Sequence, residues 1–544
     1  MYRADIREFE FTWGNTVLVY RALKFPGTFR KWRNVAVALT TAALLSACAV
    51  APEPLTVTEN NARVEKDLAR LFEKQEKITG PLTLEEAIAR ALKYNLDHRL
   101  KLMEEAVAMG QLDVANVNLL SDVVASSGWT QRSRPDSTFN EDKTSTSISS
   151  DKKIRDSDLT VSWNVLDFAI GYMRAHQQAD MALIVKERRR QVIHNVINDT
   201  RSAYWRAAAA ERALVQFKPV LEKVRTALSR SETQVRERVG APLDALTYQE
   251  DLLLTLRELE TRQRQLVEAR TELAVLMNIH PDSDFTVEAA VEPDSGPMPV
   301  LTMNAEELEL EALKNRSELR SEAYQLRINQ QEAKIAIVQM VPGLNFSAGI
   351  NHTTDSYKVN SDWYEGSLDL SWNLMQLFKA PANMRLADSQ IELSEVRRLA
   401  LSMAVISQVN IAQLRFAYAK RDFELTDRIA SVQDQISETV NASQSANAVG
   451  EGQAIRADVR ALLSNLQRDM AYADMQASYG RLFASIGADP FPNDIPDDSV
   501  DTLARSVGEV LTRWNQGDYD APVTVAEGDK GPVAENEMKQ AAVQ

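Results

Sequence analysis

Leu159-Thr160-Val161-Ser162-Trp163-Asn164-Val165 alternates apolar and polar residues, and Leu368-Asp369-Leu370-Ser371-Trp372-Asn373-Leu374 does the same about 210 positions later. Period two sends successive side chains to opposite faces, which is the signature of a strand with one apolar side. Two other segments share it. Leu344, Phe346, Ala348 and Ile350 alternate with Asn345, Ser347, Gly349 and Asn351, and Val123–Gln131 carries Val123, Ala125 and Trp129 on one face. About nine residues of this kind are what a tilted strand needs to cross a bilayer.

The alternation sits inside a longer repeat. Glu85-Glu86-Ala87 and Ala91-Leu92-Lys93 return 221 positions later as Glu306-Glu307-Leu308 and Ala312-Leu313-Lys314. At the same offset residues 123–128 answer 344–349. Ser162-Trp163-Asn164 and Val239-Gly240 answer Ser371-Trp372-Asn373 and Val449-Gly450 at an offset of about 210. Duplicated units of this size, 82–281 and 303–490 joined by a linker at 282–302, point to two large similar halves rather than a solenoid.

Gly and Pro punctuate structure most strongly. Residues 382–449 contain neither, and 172–239 contain a single Pro219. As a helix, each run would extend roughly 100 Å at 1.5 Å per residue. Pro219 should kink its copy because it removes a backbone donor and crowds the preceding turn, whereas its counterpart is Ile429. Shorter runs flank the long ones: 82–109 (continuing to about Leu120), 243–280, 303–341 and 453–479. In 303–341 the residues Leu308, Ala312, Leu319, Ala323, Leu326, Ala333, Ile337 and Met340, with the polar Asn315 and Gln330 counted as members, follow one another at steps of three or four, which predicts one amphipathic helix. Polar loops, 132–157 and 353–365, join the paired strands. Trp129, Trp363 and Tyr364 lie near strand ends, where aromatic belts form at membrane interfaces.

The chain has 544 residues and a formal charge of -15, with its basic residues in no stripe, so nucleic acid is excluded as a partner. Val35–Ala47 is an apolar run of 13 residues behind Lys31 and Arg33; it fits the core of a secretory signal and is too short to span a membrane as a helix. The 34 residues before the run include Asp5, Glu8 and Glu10, an acidic and long leader, so the reading places the true start near Val17 or Leu23. Residues 1–47 are thus taken as signal, 48–81 as an anchor and added segment with a helix within 55–80, and 491–544 as an acidic tail, partly disordered, with one short helix over 499–515.

If the four strands cross lipid, every backbone polar group must be paired inside protein, which only helices and closed barrels achieve. The smallest natural barrels have about eight strands, so one chain cannot close one and an oligomer follows. The residues then resemble a known family. Leu82-Thr83-Leu84-Glu85-Glu86-Ala87, Val341-Pro342-Gly343-Leu344 and the two Ser-Trp-Asn segments are similar to the TolC-like outer membrane efflux proteins over about 82–490. Leu45-Ser46-Ala47-Cys48 resembles the lipobox of the family's lipoprotein branch, which implies a lipid on Cys48 and, with Ala49 next, an outer membrane address. The resemblance implies a mainly α fold with a membrane β-barrel portion: a homotrimer whose twelve-stranded barrel continues into a periplasmic α-helical tunnel. It further implies passive export in a tripartite efflux or type I secretion system, with a periplasmic adaptor and an inner-membrane pump as partners.

The same resemblance assigns roles at the turn after each long helix. Val239, Gly240, Val449, Gly450 and Gly452 match the tips that dock the adaptor, and glycine suits a tight turn because it allows positive φ. Asp458, followed by Val459, matches an acidic constriction, with Asp244 as a less regular counterpart. Arg236, Arg238 and Arg456 are near enough in sequence to pair with these acids and hold the tip shut. No catalytic constellation or metal pattern is present. The five histidines are scattered, and no cofactor is expected beyond the covalent lipid. A lipid-anchored periplasmic coiled-coil scaffold without a pore is the competing reading.

Overall fold

The computed structural model describes residues 10–13, 16–19, 53–73, 75–139, 141, 143–237, 242–288, 298–488 and 499–516. The chain divides into two units at Leu71. In the first, β1 (Glu10–Trp13) pairs antiparallel with β2 (Thr16–Val19), and α1 (Val57–Leu71) buries none of its residues. A reciprocal cap starts α1: Thr56 Oγ1 accepts from the Glu59 amide at 3.2 Å, and Glu59 accepts from the Thr56 amide at 2.9 Å. The apolar run 35–47 and Cys48 lie outside the described residues.

The second unit carries the repeat. Its first half runs α2 (Leu84–Tyr94), α3 (Leu96–Val117), β3 (Asp122–Gln131), β4 (Ser137–Phe139), β5 (Thr146–Ile148), β6 (Lys153–Asn164), α4 (Val165–Arg236) and α5 (Pro242–Leu276). Its second half runs α6 (Ala305–Asn315), α7 (Ser317–Val338), β7 (Gly343–Thr353), β8 (Asp362–Ser371), α8 (Met375–Ser445) and α9 (Glu451–Ile486), followed by α10 (Val500–Asn515). Corresponding helices match in length: 11 and 11, 22 and 22, 72 and 71, 35 and 36 residues. At 1.5 Å per residue α4 and α8 each reach about 110 Å.

Four sequence expectations change. The runs 82–109 and 303–341 each break into two helices, at Asn95 and Arg316, which stand 221 positions apart in extended backbone. The Asn95 side chain accepts from the amides of Asp97 and His98 and restarts the helix. Arg316 has no cap bond and instead donates to the carbonyls of Ala484 and Ser485, at the end of α9. The polar loop 132–157 contains the β4–β5 hairpin and the start of β6. The loop read over 353–365 shrinks to 354–361, because β8 begins at Asp362.

The Asn of each Ser-Trp-Asn segment explains where strand becomes helix. Asn164 accepts from the amides of Leu166 and Asp167 and caps α4, so Val165 belongs to the helix rather than the strand. Asn373 likewise accepts from the amide of Met375, and Trp372 donates Nε1 to the carbonyl of Met340 at 3.0 Å. Helix α4 continues through Pro219, and α9 continues through Gly480.

The four long strands form one antiparallel sheet in the order β3-β6-β7-β8, so β3 and β8 are its edges. Helix α9 packs on α8, α4 and α6, and α5 packs along α4. The core of this body is built on sevens. Leu252, Leu259, Leu266 and Leu273 of α5 are all buried, as are Val409, Phe416, Phe423 and Ala430 of α8. A seven-residue apolar repeat bends helices into a left-handed coiled coil. Tyr479 and Tyr472 of α9 meet Phe416 and Phe423 of α8, and Phe483 stacks on Trp514 of α10 at 4.3 Å between centroids.

Candidate functional site

Two places in the second unit carry the features expected of a duct: the sheet and the helix tips. Residues opposite one another in an antiparallel sheet share a face. Val123 opposes Val161, which opposes Ala348; Trp163 opposes Phe346, which opposes Leu368; Leu344 opposes Leu370. One face is therefore apolar, and its large side chains are exposed, Leu370 at 71% and Leu368 at 62%. The other face presents Ser, Thr, Asn and acidic residues. Trp129 and Tyr364 stand on the apolar face as a membrane belt requires. Trp363 does not: it lies on the polar face and donates Nε1 to Glu365 at 3.3 Å. One-residue register separates the two positions.

At the outer ends of the strands the two halves are joined. The Asp151 amide donates to Asp355 Oδ1 at 3.0 Å, and the Ser356 amide donates to Asp151 Oδ2 at 2.7 Å. That backbone bond holds the Asp151 carboxyl below its usual range.

At the opposite end, Val239, Gly240 and Arg238 lie outside the described residues, so the first tip is seen only through its flanks. The second tip is complete. Its left-handed residue is Asn447, at φ 55, and not a glycine. The Ala448 amide reaches back to the Ser443 carbonyl at 2.9 Å and closes the end of α8. Gly450 has φ -73 and precedes α9 in extended backbone, with open space where a Cβ would stand. Val449 lies between them. Gly452 has a different constraint: a Cβ there would stand 2.8 Å from Cε2 of Tyr248 on α5. Burial pushes the Tyr248 hydroxyl pKa up.

Asp458 is brought together with residues from three helices. It accepts from Lys223 Nζ of α4 at 2.6 Å, and from Ser437 Oγ at 2.8 Å and Asn441 Nδ2 at 2.6 Å of α8. Its side chain is only 10% exposed. Burial opposes the charge, but these three hydrogen bonds outweigh it and hold the carboxyl below its usual range. Of the arginines expected beside it, the two described ones are engaged elsewhere. Arg456 pairs with Asp251 of α5 at 2.8 Å, and Arg236 donates to Thr233 on its own helix. Arg230 of α4 pairs with Glu451 of α9 at 2.9 Å. Asp244 stands exposed in the first turn of α5. Three ion pairs and the Tyr248–Gly452 seat thus join the α4–α5 hairpin to the start of α9. A cleft of about 340 Å³ opens beside them, lined by Pro219, Lys223, Asn441, Gln444 and Asp458.

Lys223, Ser437, Asn441, Tyr248 and Arg230 were missed in the sequence. Lys223 is 235 positions from Asp458, and only the Ser437–Asn441 pair, one turn apart, hinted at a polar contact. No group of three or more metal-binding side chains occurs among the described residues.

No family model and no curated protein matches this sequence. Solved structures do. The Campylobacter jejuni CmeC outer membrane channel superposes with a TM-score of 0.61 at 12% identity, covering 86% of this chain and 97% of that one. CusC, described by its transmembrane channel formation, superposes with 0.58 at 15% identity over 81% and 100%. The open state of the Neisseria gonorrhoeae MtrE outer membrane channel gives 0.54 at 16% identity over 73% and 88%. At such identities the likeness is one of architecture, and the chain has the fold of the TolC-family outer membrane channels.

Proposed function

We propose that the chain is one subunit of an outer membrane channel, a non-enzymatic duct for passive export across the outer membrane and periplasm. The observation that carries this reading is the sheet: four strands with one apolar and one polar face and two open edges. A membrane exposes the apolar face to lipid and cannot tolerate unpaired edges. The edges are therefore met by further copies, three chains in all in the family resemblance, which gives twelve strands.

The helices support the same assembly. Helix α3 leads into edge strand β3 and exposes Leu96, Leu100, Met103, Val107, Val114 and Val117, at steps of three and four through Gly110. Helix α8 leaves edge strand β8 and exposes Leu386, Leu393, Val396, Leu399 and Met403, then a further stripe from Ile411 to Ile436. By length and composition α8 is apolar enough to cross a membrane, with 17% of that window buried. Its stripe spacing fits a helix partner better than lipid, which wets all sides. Each copy thus offers an edge and a stripe on either flank, which suits a head-to-tail ring.

In this reading Val239, Gly240, Val449, Gly450 and Gly452 mark the tips that dock a periplasmic adaptor of a tripartite efflux or type I secretion system with its inner-membrane pump. Asp458 and its neighbours hold the tips together, and a lipid on Cys48 anchors the chain to the outer membrane. The test is extraction from outer membranes followed by planar-bilayer recording. Heat-modifiable trimers that conduct support the duct; a soluble monomer without conductance supports the scaffold.

A further inference from the structure

Among the described residues, Arg201 Nε, Asn198 Oδ1 and Ser317 Oγ are buried and have no hydrogen-bond partner. Arg201 is 2% exposed and Ser317 5%. Native folds pair nearly all such atoms, so orphans that gather in one place point to a polar ligand. These three do gather. Ser317 and Asn198 line a cleft of about 360 Å³ enclosed between α4, α8, the start of α7 and the end of α9. Asn198 and Arg201 line a smaller cavity of about 20 Å³ against it, and His194, Asn198 and Ala484 border both. A Cβ at Gly480 would stand 3.0 Å from Arg201 Cδ and 3.2 Å from Asn198 Oδ1, so this glycine keeps the floor open.

The donors of the cleft suit one negative charge. Helix α7 opens on it without a side-chain cap, which leaves the first amides of the helix as donors. Ser317 adds a hydroxyl. Arg481 of α9 adds an exposed guanidinium, and its acidic neighbours Asp199 and Asp474 lie beyond ion-pair distance. Arg316 is occupied by the fold: it donates to Glu318, to Gln408 and to the carbonyls of Ala484 and Ser485. Guanidinium, hydroxyl and amide donors together recognise a carboxylate. The lining also holds acceptors, Asn198 Oδ1 and the Glu318 carboxylate, which repel a second negative charge and call for a donor. Ala484 is the one apolar residue of the cleft's lining, so an apolar solute gains little there.

We propose that this cleft binds a small carboxylate that carries a hydroxyl or ammonium group of its own. The α7 amides, Ser317 and Arg481 meet the carboxylate, and the second group donates to Asn198 Oδ1. A ligand held there fastens α4 of the first half to α7, α8 and α9 of the second, and it stabilises the helical body by mass action. The site lies away from the sheet and the tips and does not depend on the channel reading.

Isothermal titration of the full-length protein in detergent tests this, with L-lactate and L-serine as probes at matched ionic strength. Both should bind saturably and raise the melting temperature. Acetate keeps the carboxylate but lacks the donor and should bind about tenfold more weakly. Ethanolamine, which lacks the carboxylate, and inorganic phosphate, which brings a second charge, should not bind measurably. Ser317→Ala and Arg481→Gln remove groups that have no hydrogen-bond or ion-pair partner in the fold, so the ligand-free melt should be unchanged in each. Each should weaken lactate binding about tenfold. Absence of saturable binding by lactate and serine overturns the inference, as does binding that both substitutions leave intact. Acetate or phosphate binding as tightly as lactate overturns the ligand class.

Discussion

Gly487 ends α9 at φ 70, a conformation that costs a residue with a Cβ about 1–2 kcal/mol. A Cβ there would also meet the Asn315 backbone at 2.9 Å, and backbone cannot swing aside. The Gly487 carbonyl accepts from Arg190 of α4 at 2.9 Å, so this one residue links α4, α6 and α9. Gly487→Ala should therefore lower the thermal midpoint by several degrees, whereas Gly450→Ala, with open space around its Cβ, should leave it unchanged; circular dichroism melts compare the two. Asp458 supplies a pH dependence. Its folded pKa is depressed, so its contribution is complete above an unfolded value of about 3.9 and is lost as pH falls through the folded value. Lys223→Met removes a pair worth up to about 1 kcal/mol, because the lysine is half exposed. The variant should melt earlier than wild type at pH 6, and the gap should narrow as the pH is taken down below the unfolded value of about 3.9 and the carboxyl protonates. Sequence proximity is a poor guide to this pair: Arg456 lies on the same helix two residues away, while the cation that reaches Asp458 comes from the other half.

The long helices explain what could and could not be read in advance. Alternation located all four long strands because a half-buried sheet writes its period directly into the sequence. Long runs with at most a single Pro located α4 and α8, although both helices begin upstream of those runs. The breaks at Asn95 and Arg316 escaped because neither run contains Gly or Pro, and the polar Asn315 beside Arg316 keeps the spacing of the stripe. The seven-residue pattern also escaped, since two of its positions on α9 are polar. Ile455, Leu462, Asp469, Gln476 and Phe483 follow one another at sevens, and all are buried. Asp469 pairs with Arg212 of α4 at 3.0 Å, and Gln476 Oε1 accepts from Arg201 at 2.8 Å. Burial drives the Arg201 pKa down to about 10. Polar pairs at such positions set the register of helices that an all-apolar seam would let slide. Gln476→Leu strands the guanidinium and should cost about 1–3 kcal/mol. The double variant with Arg201→Met should recover much of that loss in a denaturant titration, because removing both partners of a buried polar pair is nearly neutral. Failure of the double variant to recover would mean that the pair fixes more than its own solvation.

For the whole molecule, the exposed stripes allow the symmetry of the assembly to be tested apart from its conductance. The two halves share a topology but present different surfaces: the first half leaves the stripe on short α3 uncovered, and the second leaves the stripe on long α8 uncovered. The twofold likeness of the halves therefore does not make the two flanks equivalent. If α3 of one copy meets α8 of the next, the contact is head-to-tail and must close into a ring to leave nothing exposed. Leu100→Glu spoils the first flank and Leu393→Glu the second. Each places a charge in a dry contact at a cost of about 3–5 kcal/mol and should give monomers with unchanged helix content. Mixed in equal amounts, the two variants retain one sound flank each, and these are complementary. Sedimentation should then show a heterodimer that does not grow into a ring. A self-complementary contact between like flanks predicts otherwise, since each variant alone would keep one sound interface and form dimers without the other. Dimers in the unmixed samples would thus refute the head-to-tail arrangement, and heterodimers found only on mixing would fix which flank meets which.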